Sequence, residues 1–211
     1  MFKTFPSGGI HPPDLKLTGS APIQYLPVPE TVTIPLSQHI GAPAISVVNK
    51  GDFVRTGQLI ADNQGFVSSR IHSSVSGKIS KIDTIIDSSG FKQSAIIIDV
   101  DGDEWMDSID RSSEIIREIN HSPDEIINKC LESGIVGMGG AAFPSHVKLT
   151  IPPGKKCNLL IINGVECEPY LTSDHRLMVE RSEEVLIGIT LLMKALRVER
   201  AMIGIEKNKP D

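Results

Sequence analysis

Between residues 134 and 140 the sequence places four glycines in seven positions: Gly134, Gly137, Gly139 and Gly140. Phe143, Pro144 and Lys148 follow. Glycine loses more backbone entropy on ordering than any other residue, so the cluster is poor material for a helix or strand interior. It suits a loop that turns sharply and lets bare backbone approach a ligand. Successive N–H groups aimed into one concavity bind anions, and a following helix start adds free donors. Phe143 adds an aromatic face, Pro144 stiffens the exit and Lys148 supplies a mobile cation. The stretch reads as a cradle for a nucleotide or flavin phosphate. A plain glycine-rich connector leaves Phe143 and Lys148 without a role. Gly137-x-Gly139-x-x-Ala142 also fits the dinucleotide fingerprint, but that pattern needs a strand in front. A helix is expected there instead, so an ordinary Rossmann turn is disfavoured.

A second cluster follows a short apolar run, Asn158–Ile162, which reads as a strand buried on both faces. At its C-terminal end, where open α/β sheets bind ligands, stand Asn163, Glu166, Cys167, Glu168 and Pro169. Asn163 and Glu166 suit sugar hydroxyls or ring edges. Acid–base catalysis and a metal site are the competing chemistries. Metal ranks last, because His175 stands alone. A helix is expected over about 182–197, with Val185, Leu186, Ile189, Leu192, Met193 and Leu196 on one stripe, and Ala201–Ile205 is the next strand. Strand, helix, strand makes a parallel βαβ unit. One crossover is too little for a complete nucleotide-binding sheet, so further chain is expected beyond residue 211.

The rest of the chain reads in blocks. Residues 1–35 carry prolines at 6, 12, 13, 22, 27, 29 and 35 and are expected to be an extended arm. His11, among glycines and prolines, is given no catalytic role. Over 36–100, short β segments alternate with turn signals at Gly51-Asp52, Thr56-Gly57, Ser76-Gly77 and Ser89-Gly90, which means a small all-β unit. Gly51-Asp52-x-Val54-x-x-Gly57-Gln58 and Ile71–Ile79 resemble the barrel-sandwich hybrid of biotinyl and lipoyl carrier domains. A carrier shows a lysine at the intervening hairpin, whereas residues 62–70 hold none. A structural docking module is the better reading, and a swinging arm is disfavoured. Residues 101–121 are acidic and polar, a linker in which Trp105 is expected to pack rather than bind. Ser122-Pro123-Asp124-Glu125 then announces a helix with a capping box. Gly134 is placed to end it, and Cys130 lies on its apolar face.

Composition narrows the function classes. Aromatics are 4% of the 211 residues, so the core must be aliphatic. A net charge of −5 argues against a general nucleic-acid binder. Cys130, Cys157 and Cys167 are an odd set with no C-x-x-C pair, which excludes a closed disulfide framework and fits a reducing cytoplasm. They also lack the four-thiolate set of an iron–sulfur cluster. The longest apolar block, Val185–Met193, is too short to span a bilayer.

Taken together, Gly8-Gly9-Ile10-His11-Pro12-Pro13, Ile34-Pro35-Leu36-Ser37-Gln38-His39-Ile40-Gly41 and the Gly51–Gln58 motif resemble the RnfC family of the Rnf electron-transport complex. From about residue 122 onward, G-x-G-G-A-x-F-P-x-x-x-K and N-x-x-E-x-E-P are similar to the flavin- and NADH-binding 51-kDa polypeptide of respiratory complex I. The resemblance implies two parts: a barrel-sandwich hybrid module, then the start of a parallel α/β flavin- and NADH-binding domain at 122–211. It implies that Gly137, Gly139, Gly140, Lys148, Asn163 and Glu166 hold FMN, and that Phe143 and Glu168 face NADH. It assigns no catalytic side chain, because flavin does the hydride chemistry. It also implies a complex that passes electrons between ferredoxin and NAD, drives ion translocation and sits through its other subunits on the cytoplasmic face of the inner membrane. Two 4Fe-4S clusters are expected only in a longer chain, and residues 1–211 alone are expected to be inactive. Val165 stands where the flavin pattern has an aspartate. All of this requires the glycine-loop amides and the turn at 163–168 to converge on one cavity. The rival reading is a non-catalytic scaffold in which the glycine loop is a relic.

Overall fold

A computed structural model describes residues 12–87 and 89–209. The Gly8–His11 part of the N-terminal motif lies outside the described residues. The chain divides into two compact units: one of residues 26–157 with 194–197, the other of residues 158–193 and 198–209 together with the described part of 1–25.

The first unit holds two antiparallel sheets. Strands β1 (Thr31–Pro35), β3 (Phe53–Val54), β6 (Gly77–Ile86) and β7 (Lys92–Val100) form one, in the order β1-β7-β6-β3. Strands β2 (Ile45–Ser46), β4 (Leu59–Asp62) and β5 (Ile71–His72) form the other, in the order β2-β4-β5. Ile34, Val54, Ile79, Ile96 and Ile98 from the first meet Ile60, Ala61 and Ile71 from the second in one buried cluster. That cluster is wholly aliphatic, as the scarcity of aromatic residues requires. Burying one such side chain contributes about 1.5–3 kcal/mol.

Residues 31–35 are a correction to the expected arm: they are strand β1, paired with β7 from Thr31↔Asp99 to Pro35↔Ala95. Pro35 is tolerated because β1 is an edge strand, where a missing N–H leaves no ladder bond broken. Between β4 and β5 the residues at 64–66 are exposed, while the return limb is held against the sheet. Ser68 and Ser69 are buried, Ser68 Oγ donates to Ala42 O at 2.8 Å, and Arg70 pairs with Asp62 at 2.9 Å.

The first part of the 101–121 segment is tied to these strands. Thr56 N donates to Glu104 O and Met106 N to Thr56 O. Trp105 packs under the Arg111 guanidinium, 4.7 Å from its ring centroid. Helix α1 (Pro123–Glu132) starts as the sequence expects: Ser122 Oγ accepts from Glu125 N at 3.3 Å, and Glu125 Oε2 accepts from Ser122 N at 2.6 Å. Ser122→Ala is expected to cost about 1 kcal/mol, read as a shift in urea midpoint without a change in slope. Gly134, at φ +68°, ends the helix. Helix α2 (Ser145–Leu149) follows the glycine loop. Both helices group with the β-strands, so the division does not fall at 121/122. The ties are specific: His146 Nε2 lies 3.1 Å from Phe66 O, and Ile40 N donates to Ala141 O.

In the second unit β8 (Leu160–Gly164) and β9 (Ala201–Ile205) pair in parallel, Leu160↔Ala201 through Gly164↔Ile205. Between them come α3 (Ser173–Glu180) and α4 (Ser182–Leu196). The apolar run of β8 is not buried on both faces: Ile161 is 67% exposed and its partner Met202 56%. Among the described residues no helix is long and apolar enough to cross a membrane.

Candidate functional site

The glycine loop belongs to the first unit and the acidic turn to the second. In the loop, Gly137 N donates to Phe143 O at 3.0 Å and Ser145 N to Ile135 O at 2.9 Å, which closes residues 137–143 into a tight excursion. Ala142 makes the turn at φ +50°. Among the described residues nothing accepts from the amides of Met138, Gly139 or Gly140. These residues are exposed, and a Cβ built on Gly139 or Gly140 would meet nothing within 4 Å. Lys148 folds back over the loop. Its Nζ would lie 3.2 Å from a Cβ on Gly137, and it sits 6.0 Å from the Phe143 ring centroid. The structure therefore brings Gly137, Phe143 and Lys148 together, with Gly139 and Gly140 presented outward. Helix α2 has five residues and adds little dipole of its own.

The acidic turn is arranged differently from expectation. Asn163 and Glu168 are exposed, and Asn163 Oδ1 accepts from Val165 N at 3.1 Å. Glu166 is 4% exposed. Its carboxylate accepts from Ser173 Oγ at 3.1 Å, Asp174 N at 2.8 Å and His175 N at 3.2 Å. The two amides are first-turn donors of α3, left free because the N-cap Thr172 makes no side-chain cap. The same carboxylate takes Lys209 Nζ at 2.6 Å. Burial alone would raise the Glu166 pKa. Lys209 and the two α3 amides outweigh it and hold the group at about 2. Glu166 thus stays ionised in the interior, where the positive end of α3 also favours the charge. Glu206 joins at 3.3 Å from Lys209 Nζ. Neither Lys209 nor Lys16 is a site residue that the sequence points to. Their contacts lie 43 and 150 residues away along the chain, and no local pattern signals them.

Cys130 is half-buried and burial raises its thiol pKa, so its position on the α1 face is a packing one. Cys167 is exposed at the centre of the acidic turn.

Two family models match this chain: the RnfC barrel sandwich hybrid domain over residues 3–103, and the Nuo51 FMN-binding domain over residues 130–211. The chain belongs to the RnfC family. It is 50% identical, over its whole length, to the C subunit of the proton-translocating ferredoxin:NAD(+) oxidoreductase complex of Clostridium ljungdahlii, of which it covers 46%. To the C subunit of the Na(+)-translocating ferredoxin:NAD(+) oxidoreductase complex of Acetobacterium woodii it is 46% identical, covering 97% of this chain and 46% of that one. To the C subunit of the ion-translocating oxidoreductase complex of Pseudomonas aeruginosa it is 38% identical, covering 98% and 27%. The chain thus spans about half, or less, of the length of these relatives. The RnfC family match gives the β unit its architecture, a barrel sandwich hybrid, and the Nuo51 match begins inside α1 and runs through the glycine loop and β9.

Proposed function

We propose that this chain carries part of the FMN- and NADH-binding site of a complex that moves electrons between ferredoxin and NAD and couples them to ion translocation. The observation that carries the reading is the row of amides at Met138–Gly140, without an acceptor among the described residues, beside Lys148 and on glycines the protein's own packing does not require. A Cβ at 139 or 140 would meet no described atom within 4 Å, so the space over these amides is open to a ligand. FMN supplies hydride transfer when bound. Gly137, Gly139, Gly140 and Lys148 hold its phosphate end, with a charge-assisted bond from Lys148. Asn163 contributes an exposed amide, while Glu166 acts through α3 and Lys209 rather than by touching the ligand. Phe143 and Glu168 face the nicotinamide nucleotide.

Two 4Fe-4S clusters belong to the remainder of the subunit, as the relatives' greater length leaves room for them. Ferredoxin or an iron–sulfur subunit, other Rnf-type subunits and the cytoplasmic face of the inner membrane complete the setting; nucleic acid has no part in it. Residues 1–211 alone are not expected to turn over NADH.

The experiment is Gly139→Val in the native subunit. Stability is expected to stay within about 0.5 kcal/mol of wild type. FMN affinity, by flavin fluorescence quenching, is expected to fall at least ~10-fold as the side chain blocks the amide row. Lys148→Met is expected to weaken FMN by roughly 10-fold or more through loss of the charge-assisted bond. Unchanged flavin binding in both variants would hand the case to the scaffold reading.

A further inference from the structure

We infer that residues 14–23 are a strap that shapes the acidic turn, with Lys16 as the residue that positions it for the nicotinamide. Lys16 Nζ donates to two turn carbonyls, Glu166 O at 2.6 Å and Glu168 O at 2.8 Å. The two carbonyls flank Cys167 and converge on one ammonium, which ties the peptides on both sides of Cys167 to a single point. An ammonium is a compact three-donor charge, and two of its donors are used here. The strap is itself held at several points. Asp14 O accepts from Tyr170 N at 3.0 Å, and Asp14 Oδ2 from Asn208 Nδ2 at 2.8 Å. The hydroxyls of Thr18 and Thr172 meet at 2.6 Å. Gly19 O accepts from Arg176 Nη1 at 3.1 Å, and the Glu180 carboxylate accepts from Ile23 N at 3.1 Å.

The turn is therefore pinned from two directions. The Glu166 side chain faces inward to α3 and Lys209, while its carbonyl and that of Glu168 face Lys16. Tyr170, just beyond, is held at φ +71°, a conformation that non-glycine residues keep only when their surroundings impose it. What the pinned turn leaves outward is the Glu168 side chain, with Asn163 and Cys167 exposed beside it. A side chain can be aimed only as well as the backbone beneath it is fixed, and Lys16 fixes that backbone. The inference rests on the proposal that Glu168 faces NADH.

The test uses the native subunit in its complex and compares Lys16→Met, Lys16→Arg and Thr18→Val. Thr18→Val removes a strap-to-helix contact and leaves both carbonyl bonds in place. Lys16→Met is expected to raise the KM for NADH about 10-fold. Lys16→Arg should recover most of this, and Thr18→Val should stay within about two-fold. KM does not depend on how much of the protein is folded, so partial misfolding of a variant does not imitate the effect. Amide hydrogen exchange over residues 163–170 is the second readout, and Lys16→Met is expected to accelerate it at least ~10-fold. Unchanged exchange overturns the inference, and so does faster exchange with an unaltered KM. Exchange needs no flavin: a subunit that takes up no FMN would sink the functional proposal, while the exchange data still report whether Lys16 holds the turn.

Discussion

Lys209→Met is expected to destabilise the unit containing β8, β9 and α3 by about 3–5 kcal/mol at neutral pH, because it strands a buried carboxylate. The Lys209 and Glu166 side chains are each 3% exposed and their charged atoms lie 2.6 Å apart. Methionine keeps the length and the apolar stem but removes the ammonium that balances Glu166. Glu166 would retain the α3 amides, so the loss is partial, and its pKa should move up from about 2. Glu166→Gln alone should cost less, since an amide oxygen still accepts from the α3 amides. The double variant should be more stable than the sum of the single changes predicts, by roughly 1–3 kcal/mol for a coupled pair. A loss under about 1 kcal/mol for Lys209→Met in urea denaturation, the range of an exposed pair, would show that the pair contributes nothing beyond packing.

The same pair fixes a pH dependence. Glu166 has a folded pKa of about 2 against an ordinary 4.5. A depressed carboxyl stabilises the fold above its unfolded value and loses that contribution as pH falls through the folded one. About 3 kcal/mol should therefore disappear between pH 4.5 and 2. Asp174 works in the other direction, since burial and then the Glu166 charge raise its pKa, and protonating it relieves strain as pH falls. Lys209 has a raised pKa despite burial, because Glu166 and Glu206 accept from it. Its contribution holds below pH 10.5 and is lost as pH rises through the folded value. In Lys209→Met the acid limb should flatten, which denaturation midpoints at about pH 3, 5 and 7 will show.

The parts of this structure legible in the sequence are those specified by neighbours. The start of α1 is written in Ser122, Pro123 and Glu125, its end in Gly134, and β9 in the apolar run Ala201–Ile205. The β unit is visible as turn signals between aliphatic runs, and its core is aliphatic because few aromatics are available. Helix α3 leaves no such mark. It is short and polar, and its first-turn donors are satisfied by Glu166, seven or more residues earlier, rather than by a local cap. Glu166 is visible as a site carboxylate, but its true environment depends on Lys209 and on α3, which a local window does not contain. The edge strand β1 is obscured for a related reason. Proline counts against a strand in general, yet tolerance depends on whether the strand is central, and that is a property of the sheet.

Gly134→Val should have an effect as large as Lys209→Met, and its contrast with Gly139→Val separates two uses of glycine in one seven-residue window. Gly134 stands at φ +68°, and a Cβ there would overlap the carbonyl of Arg70. That neighbour is backbone next to β5, not the end of a flexible side chain. The left-handed conformation costs a residue with a Cβ about 1–2 kcal/mol, and a β-branched side chain is a genuine outlier there. Forcing α1 away from the Arg70 strand adds an overpacking cost of about 1–3 kcal/mol. The sum, about 2–5 kcal/mol, should appear as a lowered midpoint for the β unit. The consequence reaches the loop, because Ile135 N is tied to Cys130 O and Ser145 N to Ile135 O. A displaced α1 terminus therefore carries the base of residues 137–143 with it. A Cβ at Gly139 meets no described atom within 4 Å, so Gly139→Val should leave the midpoint unmoved while it blocks the amide row. If Gly134→Val proved as stable as wild type, the α1 terminus would have to be free to leave the Arg70 strand, and the loop would lose its fixed base.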